Sequence, residues 1–315
     1  MACDFATLTL NPAIDVSSDA DEVRPTQKTR IYGQQIEAGG GGVNVAKMLC
    51  EFGVAVRAIY LAGGATGGAL NEILGHFGME RDCVAILGDT RMSLAVNERA
   101  TGIEYRFVPE GPEVLEEEWR EALRRSTSLT AAYFVASGSL PRGVPDDFYA
   151  SLSRALRASG TRYVLDTSGA ELRSALDEGG IFLLKPSDRE LRELVGQELD
   201  EEGLATAAAQ ISASGKAKYV AVTMGADGAI LSGEGVTYRL PAIPVVTRSA
   251  LGAGDSFVGA MTYAFGEGME AAEAFRLGVA AGAAAAVSKG ARLCSADEVR
   301  ALLDRVPPPE RSNAT

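Results

Sequence analysis

The sequence predicts an α/β protein with a mainly parallel sheet, crossover helices, and a small second sheet set over it as a lid. Three observations carry this. Glycine-rich turns run straight into amphipathic helical patterns near residues 39–49 and 63–76, and strand–helix alternation returns from Ala131 onward. Two runs of alternating polarity, Ser93–Glu98 and Ile103–Val108, flank Arg99-Ala100-Thr101-Gly102 and read as a hairpin outside that rhythm. The chain has 315 residues, 46% hydrophobic and 23% charged, enough for a substantial core.

Phe5–Leu10 is the first strand. It ends at the turn signal Asn11-Pro12, and Asp15 lies just beyond. A buried strand ending near a carboxylate suits a sheet whose ligand lies past the strand ends. The stretch to about Ile36 is polar with short β-like pieces and carries Lys28 and Arg30. Together with the hairpin it forms the expected lid, segments about 15–37 and 91–109. Four glycines, Gly39–Gly42, then lead into the helix that carries Asn44, and an apolar strand, Val56–Leu61, leads into a second Gly-rich turn and a helix near Ala69–His76. Glu116-Glu117-Glu118 opens a solvated helix, where acids suit the N-terminal end and need no catalytic role.

From Ala131 strands are expected at Ala131–Ala136, Tyr163–Asp166, Phe182–Lys185 and Tyr219–Thr223. Helices are expected near Val144–Ala158, Ala170–Leu176, Asp188–Val195 and Glu202–Ser214. Gly228–Leu231 and Val236–Leu240 form an antiparallel pair, and helices at Asp255–Gly266, Ala271–Ser288 and Ala296–Leu303 close the fold. One domain over residues 1–315 is expected, with a frayed tail from about 305 that includes Pro307-Pro308-Pro309.

Composition excludes several classes. The net charge is −12, so no basic footprint for nucleic acid or for an anionic membrane is present. The four cysteines, Cys3, Cys50, Cys83 and Cys294, make no C-x-x-C pair and read as reduced thiols of a cytoplasmic protein. Met1-Ala2-Cys3-Asp4-Phe5 has neither the basic stretch nor the apolar run of a signal peptide, and Val279–Val287 is too short to span a bilayer. The single histidine, His76, rules out H-E-x-x-H metalloproteases.

The stretch with the most chemistry is Ser249-Ala250-Leu251-Gly252-Ala253-Gly254-Asp255-Ser256-Phe257. Two glycines precede a lone acid at a helix start, where N–H groups and the positive dipole end converge on an anion. Asp255 there is either an N-cap or a base that takes a proton from a hydroxyl attacking a phosphate. A Walker A loop, G-x-x-x-x-G-K-S/T, is absent, and the dinucleotide fingerprint G-x-G-x-x-G fails at both glycine clusters.

Six pieces remain: Asn11–Asp15, Gly39–Asn44, Ser137–Pro141, Lys185–Glu190, Thr223–Gly228 and Leu251–Ser256. In this order, over about residues 7–304, they resemble the PfkB carbohydrate kinases, whose fold is ribokinase-like, three α/β/α layers with a β lid. The resemblance implies Asp255 as catalytic base and the N–H groups of Gly252, Ala253, Gly254 and Asp255 itself as an anion hole. It implies Asp15, Gly40, Gly41, Asn44 and Ser139 as sugar contacts, with Lys28, Arg30, Arg91 and Arg106 as cations for a phosphate on the sugar. It implies Lys185, Ser187, Thr223, Gly225, Ala226, Gly228, Thr247, Val279 and Ala283 at the nucleotide ATP. It implies Glu190 organising Mg2+ through water, and Ser249, Leu251, Ala285, Ser288, Gly290 and Arg292 around K+, mostly by backbone carbonyls. Ser187 stands where the family usually has Asn, and a hydroxyl lacks the reach of the amide.

The four glycines and the run Gly290–Ser295 carry a finer resemblance within the family, to its 6-phosphofructokinase branch. This resemblance implies D-fructose 6-phosphate as acceptor, phosphorylated at its 1-hydroxyl, with tagatose 6-phosphate and fructose 1-phosphate as alternatives. A non-catalytic sugar or nucleotide sensor on this fold is expected to have lost the acid or its glycines, and all are present. The lid strands leave an apolar face, which the resemblance implies is covered in a homodimer.

Overall fold

The computed structural model describes residues 3–247, 251–288 and 293–313. In chain order the elements are β1 (Cys3–Thr9), β2 (Ala13–Ala20), β3 (Ile31–Gly39), α1 (Gly41–Glu51), β4 (Val56–Gly63), α2 (Gly64–Leu74), β5 (Glu80–Ile86), β6 (Arg91–Glu98) and β7 (Glu104–Phe107). There follow α3 (Glu116–Ser128), β8 (Ala131–Ser137), α4 (Phe148–Ser159), β9 (Arg162–Asp166), α5 (Gly169–Glu178), β10 (Ile181–Leu184), α6 (Asp188–Val195), α7 (Glu201–Ala213) and β11 (Ala217–Thr223). The chain closes with β12 (Ala229–Gly233), β13 (Val236–Leu240), α8 (Ala253–Gly266), α9 (Ala271–Val287), α10 (Ala296–Leu303) and β14 (Glu310–Asn313).

Among the described residues the main sheet has ten strands in the order β14-β13-β12-β11-β10-β9-β8-β1-β4-β5. The run from β11 to β5 is parallel; β12, β13 and β14 add antiparallel neighbours at one edge. Because strand side chains alternate faces, β1 sends Phe5 to one core and Ala6 and Leu8 to the other. The first core takes the apolar faces of α1, α2, α8, α9 and α10, and the second those of α3 to α7. Burying each large aliphatic side chain contributes about 1.5–3 kcal/mol, so both faces must be covered, as an α/β/α sandwich does.

The lid is a four-stranded sheet, β3-β2-β6-β7. Its register sorts the side chains. Asp15 lies opposite Glu37 and Ser93, Ala13 opposite Arg91, and Ala95 opposite Arg106, so these polar groups share one face. Val16 opposite Ile36 and Leu94, Ile14 opposite Met92, and Leu94 opposite Phe107 form the apolar face. Part of that face packs into the first core through Ile14 and Val16, while Ile36, Met92 and Phe107 stay exposed.

Three expectations change. The tail is not frayed throughout: Glu310–Asn313 pairs with β13, its side chains exposed, because the open sheet edge offers backbone partners without needing burial. The strand β5 goes unforeseen, since Glu80-Arg81-Asp82 breaks the apolar run that marks buried strands. Glu118 is buried rather than solvated; its carboxylate accepts the N–H groups of Leu87 at 2.7 Å and Leu115 at 2.8 Å.

Candidate functional site

The strand order reverses at β1, with β4 on one side and β8 on the other. In an open parallel sheet the crevice at such a switch point, past the carboxyl ends of the strands, receives the ligand. A cavity of about 340 Å³ lies there, under the polar face of the lid. A larger open hollow of about 510 Å³ sits where β9, β10 and β11 begin, with Arg162, Phe182 and Lys218 in its wall. Among the described residues no helix N-terminus lines it, and the smaller cavity is the candidate site.

Close backbone approach makes the cavity. Gly40 has φ 110° and would place a Cβ 2.9 Å from the Pro12 Cα. A Cβ on Gly41 would meet the Ser137 Oγ at 2.1 Å, which brings the start of α1 against the end of β8. A Cβ on Gly39 would sit 1.8 Å from Asp15 Oδ2, so the Asp15 carboxylate lies directly over this glycine. The glycine run is thus a steric requirement of the site.

Gly252, in the left-handed region at φ 69°, is the N-cap of α8, and it has no side chain to cap with. Asp255 is therefore not the N-cap; it sits in the first turn. The first N–H groups of α8, at Ala253 and Gly254, point from the helix end without a capping side chain, an anion seat. Asp255 Oδ2 accepts a hydrogen bond from Asn44 Nδ2 at 2.9 Å. Burial, and next the charge of Asp166, push the Asp255 carboxyl up to about 7; the Asn44 hydrogen bond and Lys185 oppose the rise. A carboxyl poised near neutrality is suited to accept a proton.

Asp15 is also raised by burial, against the Ser93 hydrogen bond and the charges of Lys47, Arg91 and Arg106. Arg91 lines the cavity and is fixed by Nη donors to the Asn11 carbonyl at 2.8 Å and the Pro109 carbonyl at 3.0 Å. Arg106 and Ser139, both exposed, also line it, with Gly40, Gly41 and Asn44. Lys28 and Arg30 do not: both are exposed on the loop between β2 and β3, too far along the chain from the strand bases to join the lining.

The expected nucleotide positions lie outside the lining of this cavity, and Lys185 and Ser187 reach it through the lining residues Asp166 and Glu190. Lys185, just past β10, pairs with Asp166 at 3.1 Å, and a Cβ on Gly254 would lie 3.6 Å from its Nζ. Burial works against the Lys185 charge, but Asp166 and Glu190 outweigh it and its pKa is raised. Ser187 bridges to Thr223 across neighbouring strand ends. Gly225 and Ala226 form one exposed helical turn, and Gly228, at φ 101°, would place a Cβ 2.1 Å from the Leu240 carbonyl oxygen. Thr247 is exposed on the following loop, and Val279 and Ala283 lie on α9, which packs against the first turn of α8 at Gly282.

Glu190 lines the cavity and closes a capping box: its Oε2 accepts the Ser187 N–H at 2.7 Å, while Ser187 Oγ accepts the Glu190 N–H at 3.2 Å. Among the described residues no group of three or more His, Cys, Asp or Glu could hold a metal outright. Asp166 and Glu190 are nonetheless two hard oxygen donors on one cavity, the donor type that suits Mg2+ held through water and substrate phosphates. Of the expected K+ positions, Leu251 lines the cavity and the Ala285 carbonyl accepts the Ser288 N–H at 3.0 Å; Ser249, Gly290 and Arg292 lie outside the described residues.

Sequence reasoning missed Asp166, Ser93 and Ser137. Asp166 had a signal, since it ends an apolar strand just before Thr167-Ser168-Gly169, as Asp15 follows the first strand. Ser93 had none, because only strand register brings it to the cavity, whereas Ser137 had one, since it opens the Ser137–Pro141 piece.

This geometry has close counterparts. The pattern of the pfkB family carbohydrate kinases matches residues 9–298. The ATP-dependent 6-phosphofructokinase isozyme 2 of Mycobacterium tuberculosis is 40% identical over 301 residues, 95% of this chain and 88% of that one. The enzyme of the same name from Escherichia coli is 39% identical over 94% of this chain and 96% of its own length. The crystal structure of phosphofructokinase-2 from Escherichia coli in complex with potassium superposes with a TM-score of 0.91 at 37% identity, covering 96% of this chain and 99% of that one.

Proposed function

The chain belongs to the pfkB family of carbohydrate kinases, and on that premise we propose that it transfers the γ-phosphoryl group of ATP to the 1-hydroxyl of D-fructose 6-phosphate, giving fructose 1,6-bisphosphate. One observation carries the chemistry: a carboxylate poised near neutrality stands in the first turn of an uncapped helix, in one cavity with Asp15 and Arg91.

Asp15, Asn44, Ser139 and the backbone at Gly40 and Gly41 hold the sugar hydroxyls, because a carboxylate, an amide and a hydroxyl beside bare backbone match a polyol. Arg91 and Arg106 face the phosphate already on the sugar. Asp255 accepts the proton of the attacking 1-hydroxyl as its oxygen bonds the γ-phosphorus and the bond from that phosphorus to the β-phosphate oxygen breaks, so that ADP leaves. The N–H groups at Gly252–Asp255 stabilise the charge that builds on the transferring phosphoryl oxygens, and Lys185 adds a fixed cation there. The nucleotide lies along Ser187, Thr223, Gly225, Ala226, Gly228, Thr247, Val279 and Ala283. Glu190 and Asp166 would hold Mg2+ through water, and Mg2+ would supply positive charge to offset that of the nucleotide phosphates. Leu251, Ala285 and Ser288 would hold K+, which would supply a fixed positive charge near the start of α8.

A second copy of the chain covers the exposed lid residues Ile36, Met92 and Phe107, so the working unit is a homodimer. No helix among the described residues is long and apolar enough to cross a membrane. The free thiols of Cys50, Cys83 and Cys294 fit the reducing cytoplasm. The deciding experiment is ADP release with fructose 6-phosphate, tagatose 6-phosphate and fructose 1-phosphate, with and without K+. Preference for fructose 6-phosphate is expected; a clear preference for fructose 1-phosphate overturns the assignment of substrate.

A further inference from the structure

Lys47 is nearly sealed from solvent, 2% exposed, yet it carries an ammonium group. It sits one helical turn beyond Asn44, so both project from one side of α1. Asn44 reaches Asp255 on the main domain, whereas Lys47 reaches the lid. Its Nζ donates to the Ala38 carbonyl at 3.0 Å and pairs with Glu37 Oε2 at 3.3 Å, while the Phe77 ring lies 5.0 Å away. Ala38 and Glu37 are at the base of β3, directly before Gly39, over which the Asp15 carboxylate rests.

The electrostatics explain why a cation is kept there at the cost of burial. Asp15 and Glu37 are direct cross-strand partners, and like charges so placed repel. The charged groups that act on Lys47 are Glu37 on β3, Asp15 on β2 and Asp255 on α8, all acids. Burial outweighs them and lowers its pKa, but the pairing with Glu37 and the Ala38 carbonyl satisfies the ammonium. A salt bridge in this setting is weak support for stability, and its better-attested use is to fix register.

We propose that Lys47 is a positioning residue that fixes the base of the lid to α1, so that Asp15 on the lid and Asn44 beside Asp255 share one frame. It touches neither substrate nor reacting atoms. Its effect runs through Glu37, Ala38 and Gly39 to the Asp15 carboxylate. The consequence for turnover rests on the kinase reading above; the consequence for lid order does not.

Three variants and two readouts test this. Lys47→Met keeps much of the volume and removes the charge, and Lys47→Arg keeps it. Glu37→Gln breaks the pair from the more exposed partner should Lys47→Met fold poorly. Amide hydrogen exchange of the free protein is expected to rise about tenfold or more in peptides over β2 and β3 for Lys47→Met and Glu37→Gln, with exchange in β9–β11 unchanged. In steady-state kinetics the KM for the sugar phosphate is expected to rise about tenfold, the KM for ATP to stay within about twofold, and Lys47→Arg to recover most of the loss. A merely structural lysine would lower the melting temperature and active fraction while leaving the sugar KM and the β2–β3 exchange in place; that result overturns the proposal. If the unaltered protein turns over no sugar phosphate, the kinase reading fails and the exchange comparison still decides the role of Lys47.

Discussion

Asn44 Nδ2 lies 2.9 Å from Asp255 Oδ2, so the helix that follows the Gly39–Gly42 run holds the carboxylate of the helix that starts behind Gly252. The hydrogen bond favours the ionised acid and is the first of the effects opposing the upward push of burial. Asp255 must be ionised to act as base, so kcat/KM rises with pH through its pKa, about 7 in the free protein. Asn44→Ala removes the opposing bond, and the acidic limb of the kcat/KM profile is expected to move to higher pH. At pH 7 turnover should fall at least about tenfold. A limb that stays in place or moves to lower pH would show that the bond does not tune the acid.

The same carboxylate costs stability. Its folded pKa of about 7 stands above the ordinary value of 3.8, so between those values the folded chain binds more protons than the unfolded chain. Stability therefore falls as pH rises through this window, and the cost is complete above it. Asp255→Asn cannot ionise and should be more stable than the parent at pH 8, on the order of 1–3 kcal/mol, the range kept low because the site opens to solvent. The advantage should vanish near pH 4. Turnover should drop by at least about two orders of magnitude. Paired denaturant melts at the two pH values check the first part, and ADP release checks the second. Near-normal turnover would remove Asp255 from the role of base.

Much of this was legible beforehand for a physical reason. Asp188–Val195 and Ala296–Leu303 have the bounds expected from the sequence, and each begins with a Ser-x-x-Glu capping box, a local signal. Asp255 and the glycine run were legible because a helix start behind glycines is also local. What escaped depends on register across the fold. That Asp255 is not the helix cap turned on Gly252 taking the N-cap position. The polar face of the lid exists only because Asp15, Ser93, Arg91 and Arg106 fall in phase across β2, β6 and β7, and Lys28 and Arg30, equally basic, lie beyond that register.

Lys185 and Asp166 form a mostly buried pair at 3.1 Å, with side chains 7% and 15% exposed. Removing one partner leaves the other charged and poorly solvated. Lys185→Met should lower stability by about 3 kcal/mol at pH 7, and the double change Lys185→Met with Asp166→Leu should regain at least half of it. Neither variant should regain turnover, because the cation beside Gly254 is gone in both. Denaturant melts of the two single variants and the double variant form the cycle. An additive double variant would mean the pair is not coupled.

Glu190 has two duties that one substitution can separate. Its carboxylate closes the capping box with Ser187 and also faces the cavity. Glutamine serves in a capping box as glutamate does, so Glu190→Gln should keep stability within about 0.5 kcal/mol of the parent. If Glu190 serves Mg2+ as proposed, losing the charge removes an outer partner, and the Mg2+ concentration for half-maximal rate should rise about tenfold or more. Ser187→Asn is the companion, because it keeps a capping side chain and lengthens the reach toward the metal. It should leave stability alone and lower the Mg2+ requirement. If Glu190→Gln melts early but keeps the parental Mg2+ curve, Glu190 is a helix cap and the metal is organised elsewhere, with Asp166 as the remaining carboxylate on the cavity.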